Sequence, residues 1–203
     1  MRTPEPIEKF IEAFAKLPSI GPRQATRLAF YIVNLGKAEL QLIASAVQGL
    51  LTLKVCKNCF YVYTSKDAAG GLCGICSDEN RQQNIIMIVE KETDLLSIEK
   101  TRKFSGRYLI LGDLKKNASL DTAQKLRINS LKTYIKQNLN GIAEEIIVAT
   151  NPTTIGDLTA SLIAQDLKDS AKKITRLGRG LPTGGEIEFA DEETLSSALE
   201  RRN

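Results

Sequence analysis

Histidine is absent from all 203 residues, and that absence excludes more than any motif present. No Ser-His-Asp triad, Cys-His pair, HExxH helix or His-ligated metal can be built from this chain. Acid–base chemistry near neutral pH would fall to Glu, Asp, Lys, Tyr or Cys. Tryptophan is also absent, and five tyrosines and six phenylalanines complete the aromatics. Few residues are therefore available to stack on bases. No window approaches the roughly 18 consecutive apolar residues of a membrane span. The opening MRTPEPIEKFIEAF lacks the apolar core of a signal peptide. The expectation is a soluble, cytoplasmic protein that does not engage a membrane.

Net charge is +4, a mild lean toward nucleic acid. Its distribution is uneven. Ten of the 28 basic residues fall between positions 100 and 136, against two acids: Lys100, Arg102, Lys103, Arg107, Lys115, Lys116, Lys125, Arg127, Lys132 and Lys136. Such a run reads either as a polyanion-binding surface or as a solvated helix face with a loop.

All four cysteines lie within one short segment: Cys56-Lys-Asn-Cys59, thirteen residues, then Cys73-Gly-Ile-Cys76. A C-x2-C turn lets two thiolates converge on one ion, and two such turns complete a tetrahedron. Gly70, Gly71 and Gly74 supply permissive backbone, and Phe60, Tyr61 and Tyr63 are placed to cover the metal. An iron–sulfur cluster uses the same ligands, and disulfides compete only in an exported chain. Zinc fits best. Four protein ligands leave no open position, so the site is structural.

Residues 5–53 read as helices. Ile7, Phe10, Ile11 and Phe14 form one apolar stripe. The stretch LPSIGPRQATRLAF then turns through Pro and Gly into a new amphipathic helix, with Pro22 in its first turn. This is the form of a helix-hairpin-helix, in which first-turn amides face a DNA phosphate. Arg23 and Arg27, four apart, suit phosphate contact beside that turn. The usual first hairpin glycine is Ser19 here, and a plain αα turn is the alternative.

From Asn84 onward, apolar runs alternate with helical periodicity: strands at 85–89, 108–111, 145–150 and 174–177, helices at 93–101, 124–139 and 156–168. That order implies a parallel α/β sheet. Glu90, Asp113, Asn151 and Asp157 are expected to gather at the carboxyl ends of its strands. A Glu after one strand and an acidic loop after a later one resembles the Toprim arrangement, whose carboxylates hold Mg²⁺. The Asp-x-Asp of that arrangement reads Asn151-Pro-Thr153 here, so two formal charges are missing. Mg²⁺ favours carboxylate oxygens, and only Glu90, Asp113 and Asp157 remain, a doubtful site for two-metal catalysis. Glu90 also reads as a simple strand-end or capping residue. The tail carries RLGRGLPTGG and the alternation Glu186-Ile-Glu-Phe189, which suits a strand docked on a neighbouring subunit, followed by a short helix. No GxxxxGK[ST] is present, so the glycine loop is not a P-loop.

In this combined order, LPSIGPRQATRLAF, C-x2-C…C-x2-C-x-D-x-x-R, IVEKETDLLSIEKT, ATNPTTIGD-x-TA and TRLGRGLPTGG, the chain resembles the bacterial recombination mediator RecR family along nearly its whole length. The resemblance implies a helix-hairpin-helix over 1–53, a four-cysteine zinc finger over 54–79, a Toprim domain over 80–173 and a C-terminal glycine-rich segment, strand and helix over 174–203 that contacts other subunits. It implies one structural zinc on Cys56, Cys59, Cys73 and Cys76, and DNA contact by Arg23 and Arg27. Glu90 is the surviving Toprim acid. The partners implied are gapped DNA without sequence preference, RecO and often RecF, and further copies in a dimer or ring-like tetramer. The role implied is non-catalytic: helping RecA replace single-strand-binding protein. One departure stands out. The family's Ser-Pro-Leu-Asp-Gly-Ile-Gly-Pro loop reads Lys116-Asn-Ala-Ser-Leu-Asp-Thr-Ala123, with Lys115 and Lys116 offering nonspecific phosphate attraction and Asp113 replacing a glycine. Two readings compete with the mediator: a Mg²⁺-dependent Toprim nuclease or primase-like enzyme using Glu90, Asp113 and Asp157, and a module that binds protein only.

Overall fold

The computed structural model describes residues 3–64, 70–200 and 202. The chain divides into two compact units, 1–53 and 54–203.

The first unit is three helices. Pro4 and two early acids, Glu5 and Glu8, favour the start of α1 (Glu5–Phe14). Its apolar stripe is half-buried, with Phe10 and Phe14 stacked at 3.8 Å. A turn leads to α2 (Pro22–Asn34), which buries Ala25, Ala29 and Ile32 at helical spacing. Small residues at two of those three positions let α1 and α2 approach closely. Gly36, at φ 93°, ends the turn into α3 (Lys37–Gly49). That helix buries none of its residues, and Leu42, Val47, Leu50 and Leu51 lie more than half exposed.

The second unit begins with a small antiparallel ribbon, β1 (Lys54–Val55) and β2 (Val62–Tyr63), and a single helical turn α4 (Gly74–Ser77). Then come β3 (Gln82–Val89), α5 (Glu92–Lys100), β4 (Gly106–Ile110), α6 (Thr122–Asn138), β5 (Ala143–Ala149), α7 (Thr154–Leu167) and β6 (Ala171–Arg176). The four long strands are parallel, in order β4-β3-β5-β6. The strands expected from their apolar runs are all present, with ends shifted by at most three residues.

Period two assigns the faces. Ile86 and Ile88 of β3 pack with Leu109, Ile146 and Val148 and with Ile128, Leu131 and Ile163 from α6 and α7. Met87 and Val89 point the other way, with Tyr108, Ile110 and Ala149, toward Leu95 of α5 and the four cysteines. Both faces of the sheet are thus covered, as a parallel sheet requires. The four-cysteine segment shares the Toprim core rather than forming a core of its own.

Two features of the C-terminal segment differ from the expectation. The expected boundary between 173 and 174 falls inside β6. The alternating Glu186–Phe189 stretch is a single 3₁₀ turn over Ile187–Phe189, not a strand, and Ile187 and Phe189 stay exposed. A short strand needs a partner edge, and β6 pairs only with β5. The helix α8 (Glu192–Glu200) follows, capped by Asp191, whose carboxylate accepts from the Thr194 amide at 2.8 Å. Among the described residues no helix is long and apolar enough to cross a membrane.

Candidate functional site

The cysteines come together as their spacing requires. All four sulfurs lie within 4.8 Å of one another, all four residues are buried, and none is in a disulfide. A tetrahedron of sulfurs about 2.3 Å from a zinc ion would have edges of about 3.8 Å, and Cys59 Sγ and Cys73 Sγ are 3.5 Å apart. Backbone amides already point at the sulfurs: Tyr61 N–H donates to Cys59 Sγ at 3.5 Å, and Cys73 N–H to Cys56 Sγ at 3.4 Å. Those bonds favour thiolates. Without a cation the four thiols conflict. Cys56 is pulled far down by the hydrogen bonds of Cys59, Cys73 and Cys76, while the same crowding pushes Cys59 far up. A divalent ion lets all four ionise together. The donor set fits a closed metal site.

The knuckles do more than hold an ion. The Ile110 amide of the edge strand β4 donates to the Cys59 carbonyl at 2.9 Å, so the first knuckle covers a sheet edge that would otherwise invite pairing. Tyr63 is buried among the cysteines and Tyr61 packs on them. Phe60, expected beside them, turns instead to the opposite core, where the Arg127 guanidinium lies over its ring at 5.0 Å. Phe60 adopts φ 65°, which redirects its side chain.

The Toprim acids do not converge. Glu90 is 5% exposed, and its Oε1 accepts the Asn151 amide at 2.6 Å. Asp113 is exposed and pairs with Lys91 at 3.3 Å. Asp157 lies in the first turn of α7, paired with Arg176 at 2.5 Å and with Arg179. Those two guanidiniums, Arg176 foremost, hold its carboxyl below the usual carboxylate range. Among the described residues the cysteines are the only group of three or more metal-binding side chains placed to share an ion. The Asn151-Pro-Thr153 loop serves the fold: the Thr153 hydroxyl caps α7 by accepting the Gly156 amide at 3.1 Å.

Part of the basic stretch is already engaged by protein groups. Arg127 donates to the Ile110 carbonyl at 2.9 Å, Lys132 pairs with Asp166 at 2.7 Å, and Lys115 pairs with Asp121 at 3.2 Å. Of the two loop lysines, only Lys116 has no ion pair among the described residues; it is exposed. In the first unit the balance is reversed. Arg23 and Arg27 are both exposed and without an ion-pair or hydrogen-bond partner among the described residues. They flank the start of α2, whose N-cap is Gly21, so no side chain caps the first-turn amides of Arg23 and Gln24. Open amides at a helix N-terminus, together with two exposed guanidiniums on the same helix, are the chemistry that suits an anion.

Comparison with known proteins follows the same division. A RecR helix-hairpin-helix family model matches residues 7–51, a Toprim domain model matches 84–178, and a RecR C-terminal model matches 180–203. Over 200 residues the chain is 42% identical to the proteins named Recombination protein RecR in two strains of Clostridium perfringens, covering 98% of this chain and 96% of each relative. The chain belongs to the RecR family.

Several residues of the motifs hold structure. The arginine of C-x-D-x-x-R, Arg81, forks onto Glu99 at 2.9 and 2.6 Å and donates to the Gly106 carbonyl at 2.8 Å. Tyr108 donates its hydroxyl to the same Glu99 at 2.7 Å. The second arginine of the glycine-rich stretch, Arg179, bridges Asp157 on α7 and Glu193 on α8, the latter at 2.8 Å. Sequence reading missed the Arg81–Glu99 pair because its members lie 18 residues apart and only the fold joins them.

Proposed function

We propose that this chain is a non-catalytic DNA-binding protein of recombinational repair, acting with RecO, and with RecF where present, to help RecA replace single-strand-binding protein on gapped DNA. The relatives' name places them in recombination. One contrast carries the reading: among the described residues Arg23 and Arg27 stand unpaired on the helix with open first-turn amides, while Glu90 and Asp157 are held by protein groups. Affinity without chemistry follows from that contrast. Phosphates are gripped at the hairpin, and among the described residues no cluster of carboxylates is placed to share the Mg²⁺ that strand cleavage needs.

Zinc is the metal of the four-thiolate site, because the donor set is all sulfur and closed. Lys116 adds diffuse attraction to phosphate; Lys115 contributes less, being neutralised by Asp121. Residues 1–53 are the DNA module, and the sheet is a scaffold. The chain assembles as a dimer or ring, consistent with the uncovered apolar residues Leu42, Val47, Leu50 and Leu51 and with Ile187 and Phe189. The test is exchange on gapped DNA coated with single-strand-binding protein. Adding this protein with RecO should speed RecA assembly, and Arg23→Ala with Arg27→Ala should abolish the gain. An undiminished gain in the double variant would reject the hairpin as the DNA grip.

A further inference from the structure

Arg107 belongs to none of the sites above. It lies on the edge strand β4, mostly buried. Its Nη2 donates to the backbone carbonyl of the ligand Cys76 at 3.1 Å, its Nε donates to Gln83 Oε1, and its guanidinium lies over the Tyr134 ring at 5.1 Å. Tyr134 in turn donates to the same Gln83 oxygen at 3.2 Å. The third nitrogen, Nη1, is buried without a protein partner, and it is the only such buried side-chain polar atom among the described residues. Arg107 also lines a void of about 10 Å³ with Cys76, Asn58 and Tyr108.

Burying a guanidinium with one nitrogen unmatched is costly. A Met or Leu would fill the same space without that cost, so packing alone does not account for the arginine. What an apolar residue cannot supply is a donor to the Cys76 carbonyl. That carbonyl sits near the end of the four-residue turn α4, where no intrahelical amide reaches it. We infer that Arg107 is a positioning residue for the metal: it caps the second knuckle through Cys76 and fixes that ligand against the Toprim sheet, slowing release of the ion. The inference rests on the zinc reading above.

The test uses the full chain loaded with zinc, measuring metal content and then the rate of zinc transfer to a chromogenic chelator. Arg107→Met should keep one zinc per chain at saturation but weaken zinc binding about 10–100-fold, the range for loss of an outer-shell partner, with faster transfer. Arg107→Lys, which keeps a donor, should recover part of the difference. Ile163→Ala, buried on the sheet face away from the cysteines, supplies a destabilised control. Unchanged transfer in Arg107→Met, or equal acceleration in Ile163→Ala, would overturn the positioning role while leaving the zinc reading intact. A wild-type chain without zinc would overturn both.

Discussion

Replacing Ser19 with glycine should stabilise the first unit. The turn before α2 runs Leu17-Pro18-Ser19-Ile20 and closes with the Ile20 amide on the Leu17 carbonyl at 3.2 Å. Proline at its second position and φ 62° at Ser19 are the marks of a type II turn, whose third position favours glycine. An L-residue in the left-handed region costs roughly 1–2 kcal/mol. Glycine removes that strain but gives back roughly 0.5–1 kcal/mol in unfolded-chain entropy. The net gain should be about 0.5–1 kcal/mol. In a unit of this size about 1 kcal/mol moves a melting midpoint by roughly 4–8 °C, so a rise of about 2–8 °C is expected. Differential scanning calorimetry of the full chain, resolving the transition of the first unit, is the assay. A midpoint unchanged or lowered would show that Ser19 is not strained, and that the hairpin tolerates its non-glycine residue for another reason.

Two further perturbations read the second unit. The Arg81 guanidinium holds the Glu99 carboxyl below its ordinary value. Its stabilising effect should therefore be complete above the unfolded pKa, roughly 4.3, and fade as pH falls through the lower folded value. Urea midpoints measured from pH 7 to pH 3 should drop with acid in the wild type, and Arg81→Met should flatten the part of the drop due to Glu99; an identical slope would exclude the pair as its source. Gly156 admits no side chain, since an added Cβ would meet the Asn151 carbonyl oxygen at 2.0 Å. Gly156→Ala should cost about 3 kcal/mol or more by forcing open the turn between β5 and α7, and a loss below about 1 kcal/mol in urea denaturation would contradict that geometry.

What the sequence discloses depends on how local each signal is. The cysteine spacing announces a metal site because each C-x2-C turn builds half of it within four residues. The strands expected at 85–89 and 145–150 are equally legible, since burial on both faces leaves an unbroken apolar run over Ile85–Val89 and over Ile146–Ala149. The Toprim acids were harder to read. Proximity to strand ends suggested that Glu90, Asp113 and Asp157 meet, but their partners, Asn151, Lys91 and Arg176 with Arg179, are set by register and by the returning C-terminal segment. Charge density stayed ambiguous for a similar reason: a run of ten cations hides which of them are already paired, as Lys132 and Lys115 are. The alternation at 186–189 has strand periodicity without a strand beside it, and periodicity alone cannot supply a partner.

Binding to end-labelled gapped DNA, followed on native and denaturing gels across a salt series with zinc-loaded protein and Mg²⁺, tests the central claim most directly. The expected outcome is retarded but chemically intact DNA that salt releases. Each phosphate contact contributes roughly 0.7–0.9 to the slope of log affinity against log salt, so Arg23→Ala with Arg27→Ala should flatten it by roughly 1.4–1.8. A strand cut or extended in the presence of Mg²⁺, and left untouched when Glu90→Gln is introduced, would contradict the non-catalytic reading and return the Toprim acids to a working metal site.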